Sequence, residues 1–487
     1  MGVSNSAISR VTGVDVAYKN FNVGKAAMLP QRVAIIGQGN DDVTYPLDAY
    51  ECDGTSSSVA ERYGYGSPLH LAVMQLFPMT GNAASFPVTI YPVKKKSDAT
   101  KAAGNILFSG TATAAGRITI SIGGNDISFL AAKGDTAEKI SAAAVLAVNA
   151  ELSVPVRAGA GASGGVDLAA KWSGVLGNDI SLSCECEADG ITVTVTAMTS
   201  GSGVPDISDA LVSIGEVWET FVLNTFGYKN AALLDKYQAW GEERWSVTNK
   251  KPALVCTGCT DDYSVRTAIT DARPADFINF LAVSVGSPEL PFVVAAKALV
   301  SDIVTTADNN PAQNYKGKLS GLKAGKDAAQ ESYVVRNNAV GKGSSTNIKT
   351  GSVAELNDIV TMYHPFGEGK YPSKRYVVDL VKLMNIVYNV RLIIESDAVK
   401  GAPLVTDDTV TSNEAALQPK TFRTWFSNLA DSLADVALIT EPKFTKKNLS
   451  VAISSENPKR IDVVYPVKLS GNVEVASVDL RFGFYLG

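Results

Sequence analysis

The sequence predicts a mixed α/β and α+β multidomain chain, and three observations lead there. An apolar helix lies between two buried strands near the start, at 32–92. Composition then changes abruptly after Lys96. From 206 onward, helices and buried strands alternate again. Alternation of this kind marks an α/β layer, and an interruption of different composition marks an inserted unit. At 487 residues the chain is long enough for about two to four cores, because single cores rarely exceed about 250–300 residues.

The first layer begins with a strand at 32–37, continues through a helix at 66–78 and reaches a strand at 86–92. Residues 97–205 are rich in Gly, Ala, Ser and Thr. Within them, Arg117 to Phe129 reads as a hairpin turning on Gly123-Gly124-Asn125, and a helix opens at Asp135-Thr136. Further strands at 180–186 and 191–197 complete an inserted, mainly β domain. Elements at 207–215, 230–241, 252–256, 263–270, 277–285 and 291–307 resume the α/β core. The Gly/Ser/Lys/Asn-rich stretch 336–352 reads as a flexible loop. A helix over 371–394 has a broad apolar face, with Lys374, Arg375, Lys382 and Arg391 left for a polar one. Another helix spans 420–433, followed by a hairpin of strands 449–454 and 461–469.

The chain end carries the strongest pattern. Val478, Leu480, Phe482 and Phe484 alternate with Asp479, Arg481 and Gly483, the period of a half-buried strand. Val473 and Val475 precede them. Near the start, Val14, Val16 and Tyr18 alternate with Asp15 and Ala17. Such ends either fold back onto their own domain or add strands to a neighbour. The sequence therefore divides into an arm (1–20), a first core part (21–96), the insertion (97–205), a second core part (206–365), a C-terminal α+β domain (366–472) and a C-terminal arm (473–487).

Chemistry is sparse. A net charge of −5 and the absence of a basic, aromatic-interleaved patch argue against nucleic acid as the main partner. No apolar run approaches the roughly 20 residues of a membrane span, and residues 1–10 lack the hydrophobic stretch of a secretory signal. Met1-Gly2-Val3-Ser4-Asn5-Ser6 fits the myristoylation pattern, which is short enough to arise by chance. Cys256-Thr-Gly-Cys259 has redox or metal spacing but lacks a matching second pair, and Cys184-x-Cys186 is too tight for zinc, so reduced thiols are expected. The two histidines, His70 and His364, are far apart. Val33-Ala-Ile-Ile-Gly37-Gln-Gly39 has Asp42 where a dinucleotide loop needs its third glycine. Gly341-Lys342-Gly343-Ser344 lacks the first glycine of a phosphate loop. No catalytic, cofactor or metal residue is assigned; the enzyme alternative is an α/β hydrolase or nucleotide-using protein with an unrecognised site.

Several motifs in matching order resemble the contractile tail sheath protein of bacteriophages, in its Mu-like branch. Ser287-Pro288-Glu-Leu-Pro291-Phe292-Val-Val-Ala295-Ala296 is similar to a helix start of that family. Pro311-Ala312 through Leu319 to Leu322, Gly64-Tyr-Gly66-Ser67, Asn337-Asn338, Asn357 to Tyr363, Gly134 to Glu138 and Leu176 to Ile180 follow suit. The stretch 341–352 departs from the pattern by lacking an acidic turn. The resemblance implies a non-enzymatic structural subunit that stacks as hexameric rings around a tail tube and contracts. Its partners would be copies of itself, the tube protein, and baseplate and tail terminator proteins, within the virion after assembly in the host cytoplasm. It further implies that the C-terminal arm inserts beside a neighbour's hairpin, lined by Val451, Ile453, Ile461, Val463, Tyr465 and Val467. Lys374, Arg375 and Lys382 are candidates to face the tube, weighed against an ordinary solvated helix face.

Overall fold

The computed structural model describes residues 26–78, 83–365, 374–474 and 476–480. The chain divides into two compact units, Pro30–Met384 and a second formed by Met1–Leu29 with Asn385–Gly487.

The centre of the first unit is a six-stranded sheet in the order Asn279–Val283, Leu254–Cys259, Phe221–Asn224, Val33–Gly37, Val88–Pro92, Tyr50–Glu51. The first five strands are parallel and the last is antiparallel. Strands buried on both faces read as continuous apolar runs, as Val33-Ala-Ile-Ile does here. Ala34 and Ile36 point into a cluster with Val222, Leu233, Tyr237 and Ile278, covered by helices Ser208–Ser213 and Ala231–Trp245. Helices Pro68–Leu76 and Pro291–Ala298 pack together elsewhere against the sheet. The Ser67 hydroxyl accepts from the His70 N–H, and Pro68 occupies the first helical position, so this helix start is fixed locally.

Between Val88–Pro92 and Phe221–Asn224 the chain builds two antiparallel sheets. One has the order Ile191–Thr199, Lys101–Gly110, Gly165–Ser173, Val156–Ala160; the other is Asn125–Ala131, Gly116–Ile122, Leu182–Cys186. Helix Ala137–Ala150 accompanies them. Gly123 and Gly124 take φ of +53° and +87°, the left-handed pair a two-residue hairpin requires, with Ile122 opposite Asn125.

Several expectations shift. The stretch 336–352 is not a flexible loop: helix Tyr333–Gly341 runs into it, and strands Thr346–Thr350 and Val353–Asp358 form a hairpin. Ser344, Ser345 and Thr346 within it are buried with partners. Arg266 Nε donates to Ser344 Oγ at 2.9 Å, and the Ser345 hydroxyl donates to the Val360 carbonyl at 3.1 Å. The helix expected over 291–307 passes through a π-helical turn at Leu299–Ile303 before resuming as Val304–Asn309. The 371–394 helix is Val377–Ile394 among the described residues, so Lys374 and Arg375 precede it. The strand holding the cysteine pair is Leu254–Cys259, and it includes both thiols.

In the second unit, helix Pro419–Asp435 buries Phe422, Phe426, Leu429 and Leu433 at helical spacing. Ile439–Thr440 pairs with Lys468–Leu469, and Ser450–Ile453 with Ile461–Val464. The expected 461–469 strand is thus split. Pro466 lies in the gap, without an N–H to donate to a ladder.

Candidate assembly surface

The described part of the C-terminal segment leaves its apolar side chains open. Val473, Val478 and Leu480 are 86%, 80% and 78% exposed, and none belongs to a strand. Large apolar side chains left this open are unusual when they cluster in one short stretch. Val475, Phe482 and Phe484, together with Val14, Val16 and Tyr18, lie outside the described residues.

The hairpin expected to receive an arm is formed. Val451 faces Val463, and Ile453 faces Ile461. Val451 is buried, while Ile453, Ile461 and Val463 are half-buried and Val464 is exposed. Among the described residues each strand pairs on one side only, leaving an open edge on the other. An isolated hairpin is marginal in water. Here Tyr465, beyond the strand, sets its ring 5.1 Å from that of Phe426, and Arg423 donates to the Val451 carbonyl at 3.3 Å. Val467 lies half-buried past Pro466, outside the ladder.

The three cations proposed from the sequence do not share a solvated helix face. The Lys374 ammonium sits 3.9 Å from the centre of the Phe277 ring. The Arg375 carbonyl accepts from the Thr361 N–H. Lys382 is fully buried, with its ammonium 3.3 Å from Asp379. Burial raises the Asp379 carboxyl, and Lys382 opposes that rise. A lysine stem is apolar enough to sit in a helix's buried stripe when a carboxylate meets its head.

Sequence reading missed Asn385 and Asn389, one turn apart on the same helix. Asn385 Oδ1 accepts from the Leu29 N–H at 2.9 Å. The Asn389 side chain accepts from Ala27 N–H at 2.6 Å and donates to the Ala27 carbonyl at 2.8 Å. The two amides therefore fasten Ala27 and Leu29 to the helix. Two asparagines at i, i+4 within an apolar helix were the available signal.

Both histidines are engaged by groups of their own chain. His70 is buried and its Nδ1 accepts from the Gly66 N–H at 2.9 Å; burial lowers it to about 4. His364 Nδ1 meets the Met362 carbonyl, and Nε2 meets Asp271. Cys256 and Cys259 are free and buried, and burial pushes Cys259 up to about 12. Three residues apart on a strand, they point to opposite faces and form neither a redox pair nor half a metal site. Among the described residues no group of three potential ligands could hold a metal ion. A cleft of about 630 Å³ is lined by Asn40, Asp42, Glu61, Tyr65, Arg157 and Lys171. Lys171 donates to the Tyr65 and Leu152 carbonyls there, and burial, with Arg157 adding, lowers it to about 8.

No family model matches the chain. The sequence is 23% identical over 493 residues to the Mu-like prophage FluMu tail sheath protein of Haemophilus influenzae, covering 99% of this chain and all of that protein. A solved sheath tail protein from Listeria innocua aligns with a TM-score of 0.50 at 12% identity, over 92% of this chain and 94% of its own. A sheath tail protein from Desulfitobacterium hafniense aligns at 0.47 and 13%, over 91% and 93%. The resemblance read from the ordered motifs therefore stands: this chain is similar from end to end to a phage tail sheath protein and has the fold of a solved one.

Proposed function

We propose that the chain is the structural subunit of a contractile phage tail sheath. It polymerises as stacked hexameric rings around a tail tube and shortens to drive that tube through the host envelope. The observation that carries this reading is similarity to a tail sheath protein along the whole of both chains. The exposed Val473, Val478 and Leu480, and a hairpin with an open edge, supply a physical means of joining copies.

In this reading the C-terminal arm, Val473 through Phe484, adds a strand beside the Ser450–Ile453 and Ile461–Val464 hairpin of a neighbour. The N-terminal arm with Val14, Val16 and Tyr18 comes from another copy. Residues 97–205 form an outer domain inserted between the core parts 21–96 and 206–365, and 366–472 form the tube-proximal domain. Buried in its own chain, Lys382 is a poorer tube contact than Lys374 or Arg375. The partners are further copies, the tube protein, and baseplate and terminator proteins, in the virion after assembly in the host cytoplasm. The protein acts mechanically, by repacking rigid units, and not as an enzyme.

Electron microscopy of the purified full-length chain tests the proposal. Tubes or stacked rings that form with rising concentration are the expected result. Discrete monomers at all concentrations, with a thermal shift on adding nucleotide, overturn it.

A further inference from the structure

The chain that leads into the central sheet is fastened at alternate residues. The N–H groups of Ala27, Leu29 and Gln31 donate to side-chain oxygens of Asn389 at 2.6 Å, Asn385 at 2.9 Å and Asp308 at 3.4 Å. The first two acceptors stand one turn apart on helix Val377–Ile394. Four helical residues rise about 6 Å, close to the roughly 6.6 Å that two residues of strand cover. Asparagines at i and i+4 therefore suit N–H groups at i and i+2.

Asn389 is committed to this fastening. Its oxygen accepts from Ala27, one amide hydrogen goes to the Ala27 carbonyl at 2.8 Å, and the other goes to the Asn385 carbonyl at 2.8 Å. Both donors of the amide are thereby used, which fixes its orientation. Asn385 and Asn389 are 0% and 1% exposed, so water does not compete for these bonds. Amides buried this deeply are costly unless they are met. The bonds to Ala27 and Leu29 go to peptide groups, so they do not depend on the side chain at position 27.

Four residues past Leu29 the chain becomes Val33–Gly37, which pairs in parallel on both sides in the middle of the six-stranded sheet. A pull arriving from the N-terminal side and meeting no fastening would fall on that strand. We propose, resting on the sheath-subunit reading above, that Asn385 and Asn389 are positioning residues that anchor the N-terminal arm. They fix the point at which the arm leaves the subunit, and they pass tension from it into helix Val377–Ile394 before it reaches the sheet.

Single-molecule pulling on the full chain tests the anchor, with one handle at the N-terminus and one on the exposed turn at Lys400, just past the helix. The first event should free roughly four to six residues, a lengthening of about 1–2 nm at about 3.5 Å each, with the sheet still folded. N385A/N389A should lose this step. A27P removes one N–H and leaves the helix intact, so it should lower the force of the step, whereas A27S should match the parent. In solution, exchange of the Ala27 and Leu29 amides should quicken about five- to tenfold in N385A/N389A. The Val33–Gly37 amides should keep the parent's protection. A parent without the early step, or a double variant that keeps it, overturns the anchor. So does a folded double variant that forms tubes as readily as a tube-forming parent. A parent that forms no tubes refutes the sheath-subunit reading instead, and the pulling experiment still judges the fastening. If N385A/N389A does not fold, A27P against A27S decides: equal forces for the two overturn the anchor.

Discussion

Truncation after Asn472 separates folding from assembly. Val473, Val478 and Leu480 are already about four-fifths exposed in the folded unit, so their removal takes little from its core. The melting temperature should move by less than about 2 °C, which corresponds to well under 1 kcal/mol for a domain of this size. Assembly is a different matter. Burying three such side chains against a neighbour is worth about 1.5–3 kcal/mol each, or about 4.5–9 kcal/mol together. Fixing the backbone of the roughly eight residues from Val473 to Leu480 costs about 1–2 kcal/mol per residue. With about 1 kcal/mol for each ladder hydrogen bond, these three side chains bring the gain only into the same range as the ordering cost. The period-two pattern through Phe482 and Phe484 must contribute too. A shorter truncation, after Leu480, should abolish tubes as fully as the longer one. Sedimentation velocity and negative-stain microscopy read the result. Tubes from either truncated chain refute the arm as connector, and a melting temperature lowered by more than about 5 °C assigns it to its own fold.

Other outcomes follow from single sites. Arg266 is fully buried, with both terminal nitrogens 2.5 Å from Glu331, so E331A strands a buried charge and should cost about 3–5 kcal/mol in urea unfolding. The double variant R266M/E331L should recover most of that loss. An added Cβ at Gly258 would lie 1.5 Å from the Pro291 carbonyl oxygen, so G258A should cost more than about 4 kcal/mol or leave the chain insoluble. His70 stays neutral in the fold down to about 4, whereas the unfolded chain binds a proton from about 6.5 downward. The unfolded state thus holds the extra proton, and stability falls as pH drops across that window, by about 3 kcal/mol in all. H70Q should flatten this part of the stability profile. Cys256 and Cys259 should resist a thiol reagent at about pH 8 until urea opens the sheet, because burial withholds their thiolates.

The core sheet was legible because its strands are short apolar runs broken by turn residues, and the insertion because Gly123-Gly124-Asn125 is turn chemistry between alternating strands. Composition misled at 336–352, where Ser344, Ser345 and Thr346 are fully buried. Their hydroxyls find partners that only the fold supplies: Arg266, the Val360 backbone and Asp358. Lys382 was placed on a polar face by its charge, although it shares the buried stripe with Val378 and Val381. Whether a lysine head meets a carboxylate one turn away depends on rotamers that periodicity does not encode. Pro466 was visible, yet the 461–469 pattern was read through it. Half of the candidate surface rests on exposure, a property of the folded unit that no spacing rule states.

The insertion shows how a chain can interrupt its own sheet without weakening it. Its entry and exit strands meet at once, with Thr100 N–H donating to the Ser202 carbonyl at 3.1 Å and Ser202 N–H returning the bond at 3.3 Å. Val33–Gly37 can therefore pair in parallel with Val88–Pro92 on one side and Phe221–Asn224 on the other, as though the intervening residues were a short loop. The insertion is also braced in two places. Asp41 accepts from the Ser173 N–H and hydroxyl at 3.2 and 2.5 Å. Farther along, Lys323 reaches Asp126 at 2.5 Å, and the Ser181 hydroxyl donates to the Pro288 carbonyl. The exposed Lys323–Asp126 pair is worth no more than about 1 kcal/mol, and the part-buried hydrogen bonds about 1 kcal/mol each. Their effect is geometric: two separated fastenings resist rotation that one would permit. In the proposed sheath subunit, an outer domain held this way would travel with its core during contraction, and load would pass through the arms and not through the 97–205 junction.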